Sequence, residues 1–212
     1  MIIPAINCPD FISASRNIRL AERFLSPSVG WIHIDISDGK FSDTESWGDV
    51  EEFLNLRTRL NMEVHLMVEE PEKIAGEWLK AGAKRFIVSV RDKKAIKRLV
   101  KEAKKYKAEI VPSFDLETSN QEALSYLEDF NYVHVLAINP GPSGQSFNFG
   151  ALEKIEFLRG QNRGVKIEVD GGINPETGMQ ALGAGADVLI VGSYIFENDD
   201  PALAYRELES LI

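Results

Sequence analysis

Little in this sequence would cross-link the chain, insert it into a membrane or hold it to a polyanion. It has a single cysteine, Cys8, among 212 residues. No disulfide can form within one chain, which fits a reducing cytoplasm. No apolar run approaches the ~20 residues that a membrane-spanning helix needs. The first residues show no basic segment followed by an apolar one, so no secretory signal is expected. Cationic excess is missing too: 24 Lys and Arg face 33 Asp and Glu, a net charge of −9. Nucleic acid and anionic membrane both call for a cationic face, so neither is an expected partner. A phosphorylated small molecule is not excluded, because backbone amides and a metal can bind phosphate without many Lys or Arg. Linkers and low-complexity stretches are absent as well. What is present is ordinary for a soluble protein, 44% hydrophobic and 27% charged residues, and long enough to bury a large core.

Short β-rich apolar runs alternate with longer amphipathic stretches. Strands are expected at residues 2–6, 31–36, 63–67, 85–90, 109–113, 132–138, 166–170 and 188–191. Helices are expected at 13–25, 46–58, 71–81, 93–107, 119–130, 149–159, 175–183 and 201–211. Pro71, Pro175 and Pro201 suit first helical positions, and Gly82 and Gly185 suit helix ends. The basic stretch 93–107 carries Ile96, Leu99, Val100 and Ala103 as an apolar stripe, so it reads as a helix with a solvated face. Strands each followed by a helix predict a parallel sheet with helical crossovers, and eight strands are the number that closes into a barrel. One α/β domain over residues 1–212, a (β/α)8 TIM barrel, is the expectation; being shorter than the usual ~250 residues, it must have short loops. A doubly wound open sheet competes with it, and periodicity does not separate the two.

Three strands end in polar residues on one face. In Trp31-Ile32-His33-Ile34-Asp35-Ile36 the isoleucines point one way, and Trp31, His33 and Asp35 the other. Glu63-Val64-His65-Leu66-Met67 sets His65 opposite Val64 and Leu66, and Lys166-Ile167-Glu168-Val169-Asp170 sets Glu168 and Asp170 opposite Ile167 and Val169. Polar groups on a core strand cost stability unless something satisfies them. In a barrel the carboxyl ends of the strands form the active face, where His33, Asp35, His65 and Asp170 would converge. Two imidazoles and two carboxylates suit Zn²⁺, Fe²⁺, Mn²⁺ or Co²⁺. A buried His–Asp hydrogen bond would satisfy the second strand equally well. The remaining histidine, His134, lies further from the end of its strand and reads as a core histidine. Glycine-rich turns follow the late strands: Gly141-Pro142-Ser143-Gly144, Gly171-Gly172 and Gly192-Ser193. Glycine lets backbone N–H groups approach an anion closely, and barrels commonly seat a phosphate beside their last strands.

The stretches from Trp31 to Phe41, Val64 to Val68, Asn139 to Gly141 with Gly144 to Phe147, Val169 to Asn174, and Gly185 to Asp187 with Gly192-Ser193 carry a specific resemblance. In their order and spacing the chain resembles ribulose-phosphate 3-epimerases over nearly its whole length. The resemblance implies a (β/α)8 barrel with one divalent metal held by His33, Asp35, His65 and Asp170. It implies Asp35 and Asp170 as the two acid–base carboxylates. It implies phosphate contacts at Gly141, Pro142, Ser143, Gly144, Gly171, Gly172, Gly192 and Ser193. The reaction it implies takes a proton from carbon 3 of a ketose phosphate, most simply D-ribulose 5-phosphate, and returns one to the opposite face of the enediolate. The protein would be a cytoplasmic isomerase; a homo-oligomer is among the states the resemblance allows.

The chain departs from the family's pattern around this core. Ala5 stands where a serine is usual, Ser37 where a methionine is usual, and Ser89 and Arg91 where a His and a Glu are usual. Pro142-Ser143 replaces Phe-Gly, and Pro112-Ser113-Phe114-Asp115 does not fit. These changes leave open another ketose phosphate, such as allulose 6-phosphate, or a non-catalytic sugar-phosphate binder. A lyase of the related phosphate-binding barrels would want a lysine in Asp-x-Lys-x-x-Asp, and Asp35-Ile36-Ser37-Asp38 has none.

Overall fold

The computed structural model describes residues 1–27, 29–91 and 93–212. Strands and helices alternate along the chain. β1 is Ile2–Ile6, α1 Phe11–Phe24, β2 Trp31–Ser37, α2 Val50–Leu56, β3 Asn61–Met67, α3 Pro71–Lys80, β4 Arg85–Ser89 and α4 Lys93–Tyr106. Then follow β5 Glu109–Phe114, α5 Asn120–Leu124, β6 Tyr132–Leu136, α6 Gly150–Gln161, β7 Lys166–Asp170, α7 Pro175–Ala184, β8 Val188–Val191, α8 Ser193–Phe196 and α9 Pro201–Glu209. The strands close into a barrel in the order β1 to β8, which excludes the open sheet. No helix among the described residues is long and apolar enough to cross a membrane.

Local chemistry sets the element ends. Pro71, Pro175 and Pro201 open α3, α7 and α9, where the missing N–H costs nothing. Asp10, Asp49, Ser119 and Asp200 each cap a helix by accepting a hydrogen bond from a first-turn backbone N–H. Asn174 forms a full capping box with Thr177. Gly185 ends α7 in the left-handed conformation at φ 114°. α4 buries Ile96, Leu99 and Ala103 and leaves its lysines to solvent.

Two helices are shorter than expected. α2 begins only at Val50, because the residues before it are tied to strands: the Ser46 N–H donates to Ser37 O, and the Trp47 N–H donates to Cys8 O. α5 stops at Leu124, after which Tyr126, Leu127 and Asp129 make tighter bonds to the third residue back. α8, a single turn after β8, was not expected.

The chain divides into two compact units. One holds Pro4–Ile110 with Pro140–Pro142, and the other Met1–Ile3, Val111–Asn139 and Ser143–Ile212. In the first, parallel pairing sets His33 beside Glu63 and Glu63 beside Arg85, with Asp35 beside His65 one step further along. In the second it sets Ser113 beside His134 and His134 beside Glu168, with Leu136 beside Asp170. Two-residue alternation therefore stacks these polar side chains on one face of each strand set, in company with Ile87 beside His65 and Ile190 beside Asp170.

Cys8 follows β1 and is buried. Burial pushes its thiol pKa up, with Asp10 and Asp35 adding to the shift against Arg16 and Asn17. The nucleophilic thiolate is thus disfavoured. Iodoacetamide at pH 8 should leave native Cys8 unmodified and label it completely in denaturant. Rapid labelling of the native protein would contradict this burial.

Candidate active site

The first unit carries three of the residues expected to bind metal. His33 and Asp35 lie on β2 and His65 on β3, all buried. His33 Nε2 lies 3.2 Å from Asp35 Oδ1, and His65 Nδ1 lies 3.0 Å from the same oxygen. Two imidazole nitrogens thus converge on one carboxylate oxygen. Among the described residues, buried His and Asp side chains form a group that could hold a metal ion. The donors are of the kind that Zn²⁺, Fe²⁺, Mn²⁺ and Co²⁺ accept, so the set fits such an ion.

Electrostatics tie the group together. Burial pulls the His33 pKa down, but the carboxylates of Asp35 and Glu63 outweigh it and hold the imidazole well above its ordinary value. Burial pushes Asp35 up, and His33 and His65 more than reverse that, so its carboxyl stays well below the usual range. The end of β2 is pinned as well. Ser46 Oγ donates to Asp35 O at 2.7 Å and accepts from the Ser37 N–H at 2.9 Å. Asp38 gathers the loop beyond, accepting from the N–H groups of Lys40, Phe41 and Glu69, each at 3.0 Å. Ala5 and Ser37 are both buried, whereas Ser89 and Arg91 border a cavity of about 280 Å³ with Lys40, Phe41 and Glu69.

The second unit carries Asp170 at the end of β7. Its carbonyl accepts from the Ala137 N–H at 2.7 Å, and its Oδ2 lies 3.7 Å from His134 Nε2. His134 Nδ1 lies 2.9 Å from Ser113 Oγ. His134 is therefore a core histidine, as expected, yet it also stands behind Asp170. Beside the last strands is a cavity of about 560 Å³, bordered by Gly144, Gln145, Phe147, Gly172, Thr177 and Ser193 among others. Of the residues expected to contact phosphate, Gly144, Gly172 and Ser193 line it. Gly171 and Gly192 lie next to that lining; Gly171 also packs so closely on Ile138 that a β-carbon would clash. Gly141, Pro142 and Ser143 do not line it. Gly141 O instead accepts from Asn7 Nδ2 at 3.1 Å.

Comparison with known proteins agrees with this chemistry. Residues 1–196 match the model of the ribulose-phosphate 3 epimerase family. The chain belongs to that family. It is 32% identical to the ribulose-phosphate 3-epimerase of Chlamydia trachomatis over 206 residues, 94% of this chain and 87% of that one. It is 30% identical to the Bacillus subtilis enzyme of the same name over 213 residues, 98% and 97% of the two chains. Among solved structures, a 3-hexulose-6-phosphate synthase superposes with a TM-score of 0.73 at 20% identity, covering 100% of this chain and 99% of that one. The orotidine 5'-phosphate decarboxylase of Pyrococcus horikoshii OT3 gives 0.66, also at 20% identity, with the same coverage. At that identity these two speak for the fold alone. As a member of the epimerase family the protein is an isomerase.

Sequence reading passed over Glu63 and Arg85. Their positions were open to it: Glu63 precedes His65 by two residues and so shares its face. Their pairing needed the register between strands.

Gly172 sits at φ +66°, and a β-carbon there would overlap the Phe147 amide nitrogen. Gly172→Ala should lower the unfolding free energy by at least about 1–3 kcal/mol, the usual strain at such positions. Urea denaturation measures it, and an unchanged midpoint would show that the turn has room to spare.

Proposed function

We propose that the protein inverts carbon 3 of D-ribulose 5-phosphate to give D-xylulose 5-phosphate, with Asp35 and Asp170 as the paired acid–base groups. The observation that carries this reading is the buried Asp35 oxygen shared by two imidazoles, 3.0 and 3.2 Å away, in a member of an epimerase family. His33, Asp35, His65 and Asp170, all buried and each offering one donor atom, would hold one divalent cation, Zn²⁺, Fe²⁺, Mn²⁺ or Co²⁺. When bound, such a cation supplies Lewis-acid stabilisation of negative charge on substrate oxygens.

The chain's own residues do the rest. Asp35, kept ionised by its two histidines, is a carboxylate ready to take the carbon 3 proton. Asp170, on β7, would serve the opposite face of the enediolate, so that proton loss on one side and return on the other inverts the centre. The substrate phosphate fits the cavity bordered by Gly144, Gly172 and Ser193, with Gly141, Pro142, Ser143, Gly171 and Gly192 shaping the turns around it. The reading takes residues 1–212 as one ribulose-phosphate-binding domain acting in the cytoplasm. A second ketose phosphate, such as allulose 6-phosphate, is favoured by one observation: Ala5 and Ser37 are both buried and are smaller than the serine and methionine that the resemblance leads one to expect.

Deuterium uptake at carbon 3 in D₂O, followed by NMR over a panel of ketose phosphates, tests the proposal. Exchange fastest on ribulose 5-phosphate supports it, and exchange fastest on a hexulose phosphate supports the second reading. Asp35→Asn and Asp170→Asn should each slow exchange by about 10²–10⁴-fold, with metal content measured in each variant. No exchange on any ketose phosphate by the fully metallated protein would leave a sugar-phosphate binder instead.

A further inference from the structure

The layer of polar side chains next to His33 touches no substrate in the reading above, yet it is a buried cluster of paired charges. Glu63 is wholly buried. A buried carboxylate is expensive unless it is both paired and hydrogen-bonded, and Glu63 is both. Its Oε1 lies 2.8 Å from His33 Nδ1, and its Oε2 accepts from Arg85 Nη1. Arg85 is itself held from several sides. Its guanidinium lies 4.5 Å from the centre of the Trp31 ring, and its Nε reaches Glu109 Oε2 at 3.4 Å. A planar fork gripped in this way fixes the plane of the carboxylate it pairs with. The Glu63 carboxylate in turn accepts the Nδ1–H of His33. The lone pair left for a metal is then the one on Nε2, the nitrogen that faces Asp35 Oδ1.

We propose that Glu63, oriented by Arg85, is a positioning residue that holds His33 with Nε2 presented to the metal and so sets how tightly the metal binds. The proposal rests on the metal site read above. A buried ion pair is seldom worth more to folding than apolar side chains of similar volume, so stability alone gives little reason for Glu63 and Arg85 to stand in this layer.

The test uses the full chain, stripped of metal and titrated with Zn²⁺ against a chromogenic chelator. The variants are Glu63→Leu, which removes the acceptor, and Glu63→Gln, which keeps an acceptor oxygen without the charge. Glu63→Leu should bind Zn²⁺ about 10–100-fold more weakly, with Glu63→Gln in between. In the Zn²⁺-loaded wild type, the His33 Nδ1–H proton should appear in NMR spectra as a downfield, slowly exchanging signal, and it should be lost in Glu63→Leu. A purely structural role would lower the melting temperature and leave the Zn²⁺ affinity alone. Affinity of Glu63→Leu within twofold of wild type, with or without the signal, would overturn the proposal while the metal site stands. Wild-type protein that takes up no Zn²⁺ would overturn both. Should Glu63→Leu fail to fold, the same comparison is made with Glu63→Gln, whose affinity must then fall below that of wild type.

Discussion

Everything near this site depends on how charge is accommodated away from water. Each ion moved into the interior carries an effective cost of several kcal/mol, and only close opposite partners with good hydrogen bonds offset it. Along Asp35, His33, Glu63 and Arg85, each group faces a complementary one: the His33 imidazole sits between two carboxylates, and Glu63 sits between His33 and the Arg85 guanidinium. Break the sequence anywhere and a charge is left uncompensated. The line also has a direction. It starts at a group suited to metal and proton chemistry and ends at Glu109, which is 53% exposed at its side chain. The middle of the line, His33 and Glu63, is wholly buried, while Glu109 meets solvent.

The second unit uses a different device for a different task. Its polar line runs from the Ser113 hydroxyl through the His134 imidazole to Asp170. Its cavity is bordered by turns, at one of which, Gly172, a β-carbon would meet the Phe147 backbone. Backbone amides can bind a phosphate without added lysines, so a net charge of −9 does not exclude an anionic substrate. In the proposed reading, proton chemistry would draw on Asp35 of β2 and Asp170 of β7, and anchoring on the turns after β6, β7 and β8.

How much of this could be read from residues alone depended on the range over which each feature is encoded. Strand positions were legible because Ile32, Ile34 and Ile36 alternate with His33 and Asp35 within one run. Helix starts at Pro71, Pro175 and Pro201 were legible because proline acts on its own backbone. The start of α2 was not, because Ser46 and Trp47 are held by partners at Ser37 and Cys8, and no local pattern marks such a tie. The Glu63–Arg85 pair spans 22 positions, and Ser113–His134 spans 21. Both arise from strand register, which sets side by side residues that look unremarkable in sequence. His33, Asp35, His65 and Asp170 stood out because ionisable groups on otherwise apolar strands are conspicuous, and the epimerase-like motifs around them narrowed what they could be for.

In the proposed reading the buried imidazole–carboxylate group would hold one divalent cation beside two proton-transferring aspartates. Anomalous diffraction from crystals soaked in Mn²⁺ or Zn²⁺ examines it most directly. The account predicts one strong peak bonded to His33, Asp35, His65 and Asp170. A saturating soak that gives no peak there, or a peak bound by other residues, would contradict it.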